Sequence, residues 1–186
     1  EGANPDIGAF ELAETAASTT PTPGNDRLTG TADADNVNGL AGADLIRGLA
    51  GNDILAGGDG SDLLQGGPGD DRLNGGTGQD TASYRDAPGT VTVNLATSTA
   101  TGAAGTDRLS LIEHIEGGAA ADRLSGDGLA NTLGGRFGDD RLLGLHGNDR
   151  LLGQRGDDRL ACRVHGLGRE LFGVELLARA ARDPLR

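Results

Sequence analysis

The sequence predicts an all-β solenoid, a coil of short parallel strands joined by tight turns, and three observations carry that prediction. Gly occupies 34 of the 186 positions, against a usual share of roughly 7%. Aromatic residues make up only 2% of the chain, and Trp and Met are absent. That leaves too little large apolar surface to fill an ordinary globular core. Third, the chain repeats itself every nine residues, and a fixed short period is the mark of a solenoid.

From residue 21 the chain divides without a gap into PTPGNDRLT, GTADADNVN, GLAGADLIR, GLAGNDILA, GGDGSDLLQ, GGPGDDRLN and GGTGQDTAS. The sixth place is always acidic: Asp26, Asp35, Asp44, Asp53, Asp62, Asp71 and Asp80. The eighth is aliphatic: Leu28, Val37, Ile46, Leu55, Leu64, Leu73 and the smaller Ala82. A second tract begins at residue 117: GGAAADRLS, GDGLANTLG, GRFGDDRLL, GLHGNDRLL and GQRGDDRLA. Its sixth places are Asp122, Asn131, Asp140, Asp149 and Asp158, and Leu fills every eighth place.

The period dictates local structure. Glycines at places one, two and four are expected to supply positive φ and to let carbonyls turn toward one point. The carboxylate at place six joins that turn. Places seven to nine are too few for a helix and read as a three-residue strand, its central residue inward and its neighbours outward. Two repeats then complete one circuit, and stacked circuits bury one aliphatic per repeat between two parallel sheets.

Charge narrows the partners. The net charge is −12, all 16 bases are Arg, and 21 of the 28 acids are Asp. Such a chain repels phosphates, so nucleic acid is excluded and cations are the natural partners. No apolar run approaches the roughly 20 residues of a transmembrane helix. Collagen is excluded because glycine follows no three-residue period. The single Cys162 cannot form an internal disulfide. The chain opens on Glu1, so it is expected to be part of a longer protein, and the absence of a leader carries no information.

The GGxGxDxUx pattern of these units resembles the RTX (repeats-in-toxin) calcium-binding nonapeptide family. The resemblance implies a right-handed parallel β-roll stabilised by several Ca²⁺ ions, each held between turns two repeats apart. One edge would pair Asp26 with Asp44, Asp44 with Asp62 and Asp62 with Asp80; the other would pair Asp35 with Asp53 and Asp53 with Asp71. The second tract would pair Asp122 with Asp140, Asp140 with Asp158 and Asn131 with Asp149. Carbonyls from the glycine places, among them Gly42, Gly51, Gly58, Gly60, Gly67, Gly69, Gly138 and Gly147, would complete the shells. Calcium also suits these residues on its own chemistry, being a hard cation that takes about 6–8 oxygens in flexible geometry. No Cys or His cluster suggests zinc or copper. Place four is Asp33, Ala120 or Leu129 in three units, which weakens the metal pattern at the start of the second tract.

Five segments follow. Residues 1–23 comprise DIGAFE, which resembles the end of a secreted parallel β-helix domain, and a Thr/Pro linker. Residues 24–83 are the first tract. Residues 84–116 interrupt it: TVTVNL alternates as a half-buried strand, GAAGTDRLS at 102–110 is an isolated repeat with Asp107 and Leu109 in place, and LIEHIE resets the frame. We expect wider coils of the same solenoid there, with Tyr84 filling extra volume. Residues 117–161 are the second tract. Residues 162–186 lose the Asp register, and an amphipathic capping helix is expected over 169–183, with a secretion signal as the alternative.

No HExxH, GxSxG or paired-carboxylate motif lies outside the repeats, so no catalytic residue is assigned and the chain is not expected to be an enzyme. Arg123, Arg141, Arg150 and Arg159 follow the second-tract acids, as solvated partners of carboxylates or as a docking strip for a surface or matrix polysaccharide. The expected function is calcium binding by a secreted, non-catalytic module that folds on the metal outside the cell. The alternative is an auxiliary module of a secreted polysaccharide-acting enzyme or adhesin.

Overall fold

The computed structural model describes residues 21–163 together with Glu170 and Leu171. The first tract supplies β1 (Arg27–Thr29), β2 (Asn36–Ala41), β3 (Leu45–Arg47), β4 (Ile54–Gly60), β5 (Leu63–Gln65), β6 (Arg72–Gly78) and β7 (Thr81–Ser83). The interruption carries β8 (Val91–Asn94), β9 (Thr99–Gly102), β10 (Gly105–Ser110) and β11 (His114–Glu116). The second tract gives β12 (Arg123–Ser125), β13 (Thr132–Phe137), β14 (Arg141–Leu145), β15 (Arg150–Arg155) and β16 (Arg159–Arg163), and β17 (Glu170–Leu171) follows. Among the described residues there is no α-helix, only a 3₁₀ turn at Leu95–Thr97. The stretch at 6–11 lies outside the described residues, as does nearly all of the helix expected over 169–183. Its residues Glu170 and Leu171 are a strand instead, antiparallel to β16.

Strands alternate between two sheets, as the two-repeat circuit predicts. One sheet runs β1-β3-β5-β7-β11-β13-β15, and the other β2-β4-β6-β10-β9-β8-β12-β14-β16-β17. Within a tract the parallel register joins residues 18 apart, so Leu28, Ile46 and Leu64 stack in one column and Val37, Leu55 and Leu73 in the facing one. These place-eight side chains form the core; Ile46, Leu55, Leu64 and Leu133 are wholly buried. Each buried aliphatic contributes about 1.5–3 kcal/mol.

The interruption is not a wider coil. After β7 the chain runs past one level and lays β8 parallel to β12. It returns through β9, antiparallel to both neighbours, and sets β10 parallel to β6. The alternation TVTVNL is met, with Val91, Val93 and Leu95 inward. The isolated repeat at 102–110 thus takes the level directly after β6, pairing Arg108 with Arg72 and Leu109 with Leu73. Tyr84 is buried beside it, as expected.

The turns refine the role of glycine. Within the two tracts positive φ occurs at places two and four and not at place one. At five place-two residues that are not glycine, Leu40, Leu49, Arg136, Leu145 and Gln154, φ lies near +70° to +80°. That is left-handed backbone other residues can adopt at a cost. Place four is different: Gly60 has φ +133°, and a Cβ there would lie 1.8 Å from the carbonyl oxygen of Gly42 in the preceding coil. Only glycine fits.

Candidate metal centre

Each turn delivers its place-six carboxylate to the coil beneath it, because the strand that follows holds that residue at the sheet's edge. Asp26 N–H donates to Asp44 Oδ1 at 2.8 Å, Asp44 N–H to Asp62 Oδ1 at 2.8 Å, and Asp62 N–H to Asp80 Oδ1 at 2.8 Å. On the other edge Asp35 donates to Asp53 at 2.8 Å and Asp53 to Asp71 at 2.9 Å. In the second tract Asp122 donates to Asp140, Asp140 to Asp158 and Asn131 to Asp149, at 2.7–3.0 Å. Every pair that the resemblance implies is joined by a hydrogen bond.

Two ladder members were missed as site residues. Asp71 N–H donates to Asp107 Oδ1 at 3.0 Å, so the isolated repeat extends one edge. Asp80 N–H donates to Glu113 Oε2 at 3.0 Å. The signal for Asp107 was its place-six position. Glu113 gave none: only three residues lie between Ser110, at place nine of the isolated repeat, and His114, which pairs with the place-seven Thr81, where a regular unit has six, and the longer glutamate side chain spans the shortened turn.

The second carboxylate oxygen divides the turns into two kinds. In Asp44, Asp53, Asp62, Asp71, Asp80, Asp140, Asp149 and Asp158, Oδ2 is buried with no hydrogen-bond partner. In every one of these eight units place two is left-handed. Where place two is not left-handed, its N–H turns inward and satisfies the side chain. Thr22 N–H reaches Asp26 Oδ2, Thr31 N–H reaches Asp35 Oδ2, Gly118 N–H reaches Asp122 Oδ2, and Asp127 N–H reaches Asn131 Oδ1, at 2.6–2.9 Å. A peptide flip therefore decides whether the carboxylate is capped by the chain itself.

The place-one glycines show what surrounds the uncapped oxygen. A Cβ on Gly39 would lie 2.2 Å from Asp44 Oδ2 and 2.4 Å from the carbonyl oxygen of Gly57 in the next coil. Gly48 stands the same way to Asp53 Oδ2 and Gly66 O, and Gly57 to Asp62 Oδ2 and Gly75 O. At Gly75 the point falls 2.5 Å from Asp80 Oδ2 and 2.0 Å from Leu111 O. Carboxylate and carbonyl oxygens thus converge on spaces that glycine keeps open. The carbonyls of Gly42, Gly51, Gly58, Gly60, Gly69 and Gly138 face the glycine of the following coil instead. Gly67 and Gly147 share the left-handed turn backbone.

A buried, unpartnered carboxylate oxygen is costly, and the acidities record it. Burial pushes the carboxyls of Asp53, Asp62, Asp80 and Asp149 upward, raises Asp71 to about 7, and raises Asp140 to about 6, with neighbouring acids adding to the effect. A cation removes the penalty. The donors are all oxygen, and among the described residues no three His, Cys, Asp or Glu side chains cluster at one point. Carbonyls must then complete any shell, which suits calcium and not zinc. One turn departs: beside Asp149 Oδ2 the Cβ point of Gly144 meets Cys162 Sγ, a poor ligand for a hard ion.

Where the interruption meets the ladder, a hydroxyl replaces open space. Tyr84 O–H donates to Asp107 Oδ2 at 2.9 Å. Burial, reinforced by the Asp107 charge, holds the phenol well above its ordinary pKa, so it stays a donor. The arginines expected to form one strip divide. Arg123, Arg141 and Arg159 align across β12, β14 and β16, whereas Arg150 lies on the other sheet. None is ion-paired among the described residues, where the bridges are Arg85–Asp86 and Arg136–Glu116.

No curated protein matches the chain significantly. A family model described as the RTX calcium-binding nonapeptide repeat matches it in four copies, over residues 21–55, 47–82, 114–133 and 125–160. Those copies span well over half of the sequence and coincide with the turns whose carboxylates stack. The chain belongs to the RTX calcium-binding repeat family.

Proposed function

We propose that this chain is a non-catalytic module that folds on calcium outside the cell, several ions seating where the uncapped carboxylates face the next coil. The observation that supports this most is the set of eight buried Asp Oδ2 atoms without a partner. Asp44, Asp53 and Asp62 would each hold an ion together with the carbonyl of Gly57, Gly66 or Gly75 and the next carboxylate in the ladder. Asp80 would do so with Leu111 O and Glu113, joining the two tracts through the shortened turn. Bound there, calcium neutralises the stacked acids and crosslinks successive coils. The remaining place-six acids Asp26, Asp35 and Asp122 would contribute through their ladder contacts.

Extracellular calcium is the fitting supply, because modules of this kind need only about 10⁻⁴–10⁻³ M affinity. One inward aliphatic per nine ordered residues is sparse burial, and the acids repel until an ion arrives, so binding and folding should be one event. Far-UV circular dichroism in EGTA and then in calcium tests this. A β signal that appears only with calcium is expected, and equal signals in both conditions would refute it. Excess Mg²⁺ or NaCl should not restore the signal, since neither supplies the same coordination. A second reading, in which the module attaches an enzyme to an acidic polysaccharide, draws on the exposed column of Arg123, Arg141 and Arg159.

A further inference from the structure

A cavity of about 330 Å³ lies on the outer face of the first sheet, under the segment that follows β7. Its volume is at the small end of the range for ligand sites, ~300–1,000 Å³. Leu49, Pro68 and Pro88 supply apolar wall, while Arg47, Gln65 and Asp86 supply the polar groups. Arg47 and Gln65 are register partners on β3 and β5. Residues 84–88 fold over this row, held by Tyr84 N–H to Glu116 O at 2.7 Å and by the Tyr84–Asp107 hydrogen bond. The cavity is therefore preformed by rigid elements.

Two polar atoms of its lining lack partners. Gln65 is only 9% exposed, and its Nε2 donates to Asp86 Oδ2 at 2.7 Å. A carboxylate only accepts, so that bond fixes the amide orientation and leaves Gln65 Oε1 buried and without a donor. Arg47 Nε is buried and without an acceptor. The cavity thus asks for one group that donates and one that accepts, beside apolar wall. A hydroxyl does both. Arg47 and Asp86 place one charge of each sign on the lining, so the wall carries no net charge and suits a neutral ligand.

We propose that this cavity binds one neutral pyranose sugar unit, its hydroxyls on Gln65 Oε1 and Arg47 Nε and its C–H face against Leu49, Pro68 and Pro88. The inference rests on the calcium-folded roll, because two turns of the ladder form one wall. Saturation-transfer NMR on the calcium-loaded full chain tests it, with glucose, galactose and mannose against glucuronate and galacturonate. Saturable binding of a neutral hexose is expected, about tenfold weaker in both Gln65→Leu and Arg47→Met with an unchanged calcium-induced circular dichroism signal. Absence of saturable hexose binding, equal binding by Gln65→Leu, or preference for a uronate would overturn the proposal. Circular dichroism on the same samples reports the fold separately. A chain still unfolded in calcium counts against both readings, and a folded chain that ignores hexoses counts against the cavity alone.

Discussion

Replacing Asp53 by Asn changes one atom's chemistry at the most informative point in the ladder. Asp53 is 1% exposed, accepts the Asp35 N–H at 2.8 Å, and leaves Oδ2 unpartnered beside Gly66 O. Asparagine keeps an oxygen for the Asp35 N–H and puts an NH₂ where Oδ2 faced the carbonyl. Without metal the substitution therefore removes a buried charge and gains a donor, worth about 0.5–1.5 kcal/mol in favour of folding. With calcium it removes an anionic ligand from the position facing Gly66 and a charge from the one facing Asp35. Losing a charge-assisted contact of about 1.5–3 kcal/mol corresponds to roughly 10- to 150-fold in the calcium midpoint. Asp26→Asn is the comparison. Asp26 is partly exposed, and Thr22 already satisfies its Oδ2, so its midpoint should shift by less than about threefold. Calcium titrations followed by circular dichroism measure both midpoints beside that of the parent. Equal midpoints for Asp53→Asn and the parent would refute the convergence of carboxylate and carbonyl as the binding position, and with it the pairing of turns 18 residues apart.

Three further outcomes follow from the same geometry. Burial raises Asp71 to about 7 and Asp140 to about 6 from 3.8. Between those values and 3.8 the folded metal-free chain holds more protons than the unfolded one, so acid favours it and rising pH works against it; any β signal of the calcium-stripped chain should be strongest near pH 4 and lost by pH 7, where the EGTA comparison is made, while the calcium midpoint tightens from pH 5 to pH 8 as protons stop competing with the ions. Tyr84→Phe leaves Asp107 Oδ2 buried without its donor and should cost about 1–3 kcal/mol at saturating calcium, read by urea denaturation. Gly60→Ala forces a Cβ against Gly42 O and should abolish the calcium response of the first tract, whereas Leu145→Gly, at φ +68°, should be neutral or stabilise the second by up to about 1 kcal/mol in the same assay.

The period of nine is enough to read the two sheets and the inward column, because each rests on a local rule repeated in register, and the resemblance that the period carries supplies the pairing of acids. Residues 84–110 were not legible in the same way. Nothing local in TVTVNL says that β8 will seek β12, which follows it by some thirty residues, or that the chain will turn back to place Asp107 under Asp71. That arrangement is decided by which sheet edge is free, a tertiary matter that propensity does not encode. Glu113 escaped for a related reason: its role depends on a shortened turn seen only once β10 and β11 are placed. The sequence suggests backbone freedom as the reason for glycine at place one, yet in the two tracts its φ is ordinary. What it supplies is room, for Oδ2 on one side and a carbonyl on the other, and sequence alone does not distinguish the two needs.

The capped turns give the ladder a direction. Asp26 and Asp35 open the first tract, and Asp122 and Asn131 open the second. In all four the chain's own N–H at place two satisfies the side-chain oxygen that later turns leave bare. A turn of this kind needs no ion to settle its carboxylate, just as a helix start is settled by a capping side chain. Each tract therefore begins with two turns able to form on hydrogen bonds alone and continues with turns whose closure waits on a cation. In a solenoid, stability passes between neighbours, so the self-capped turns offer a template on which the first calcium-dependent coil can close with least ordering. Folding in calcium should then propagate from each tract's N-terminal side. Hydrogen exchange at sub-saturating calcium should protect the amides of Leu45 and Ile54, which donate to the Asp26 and Asp35 carbonyls, before that of Arg159, which donates to Asp140. Protection appearing first at Arg159 would show that metal sites, not capped turns, nucleate the roll.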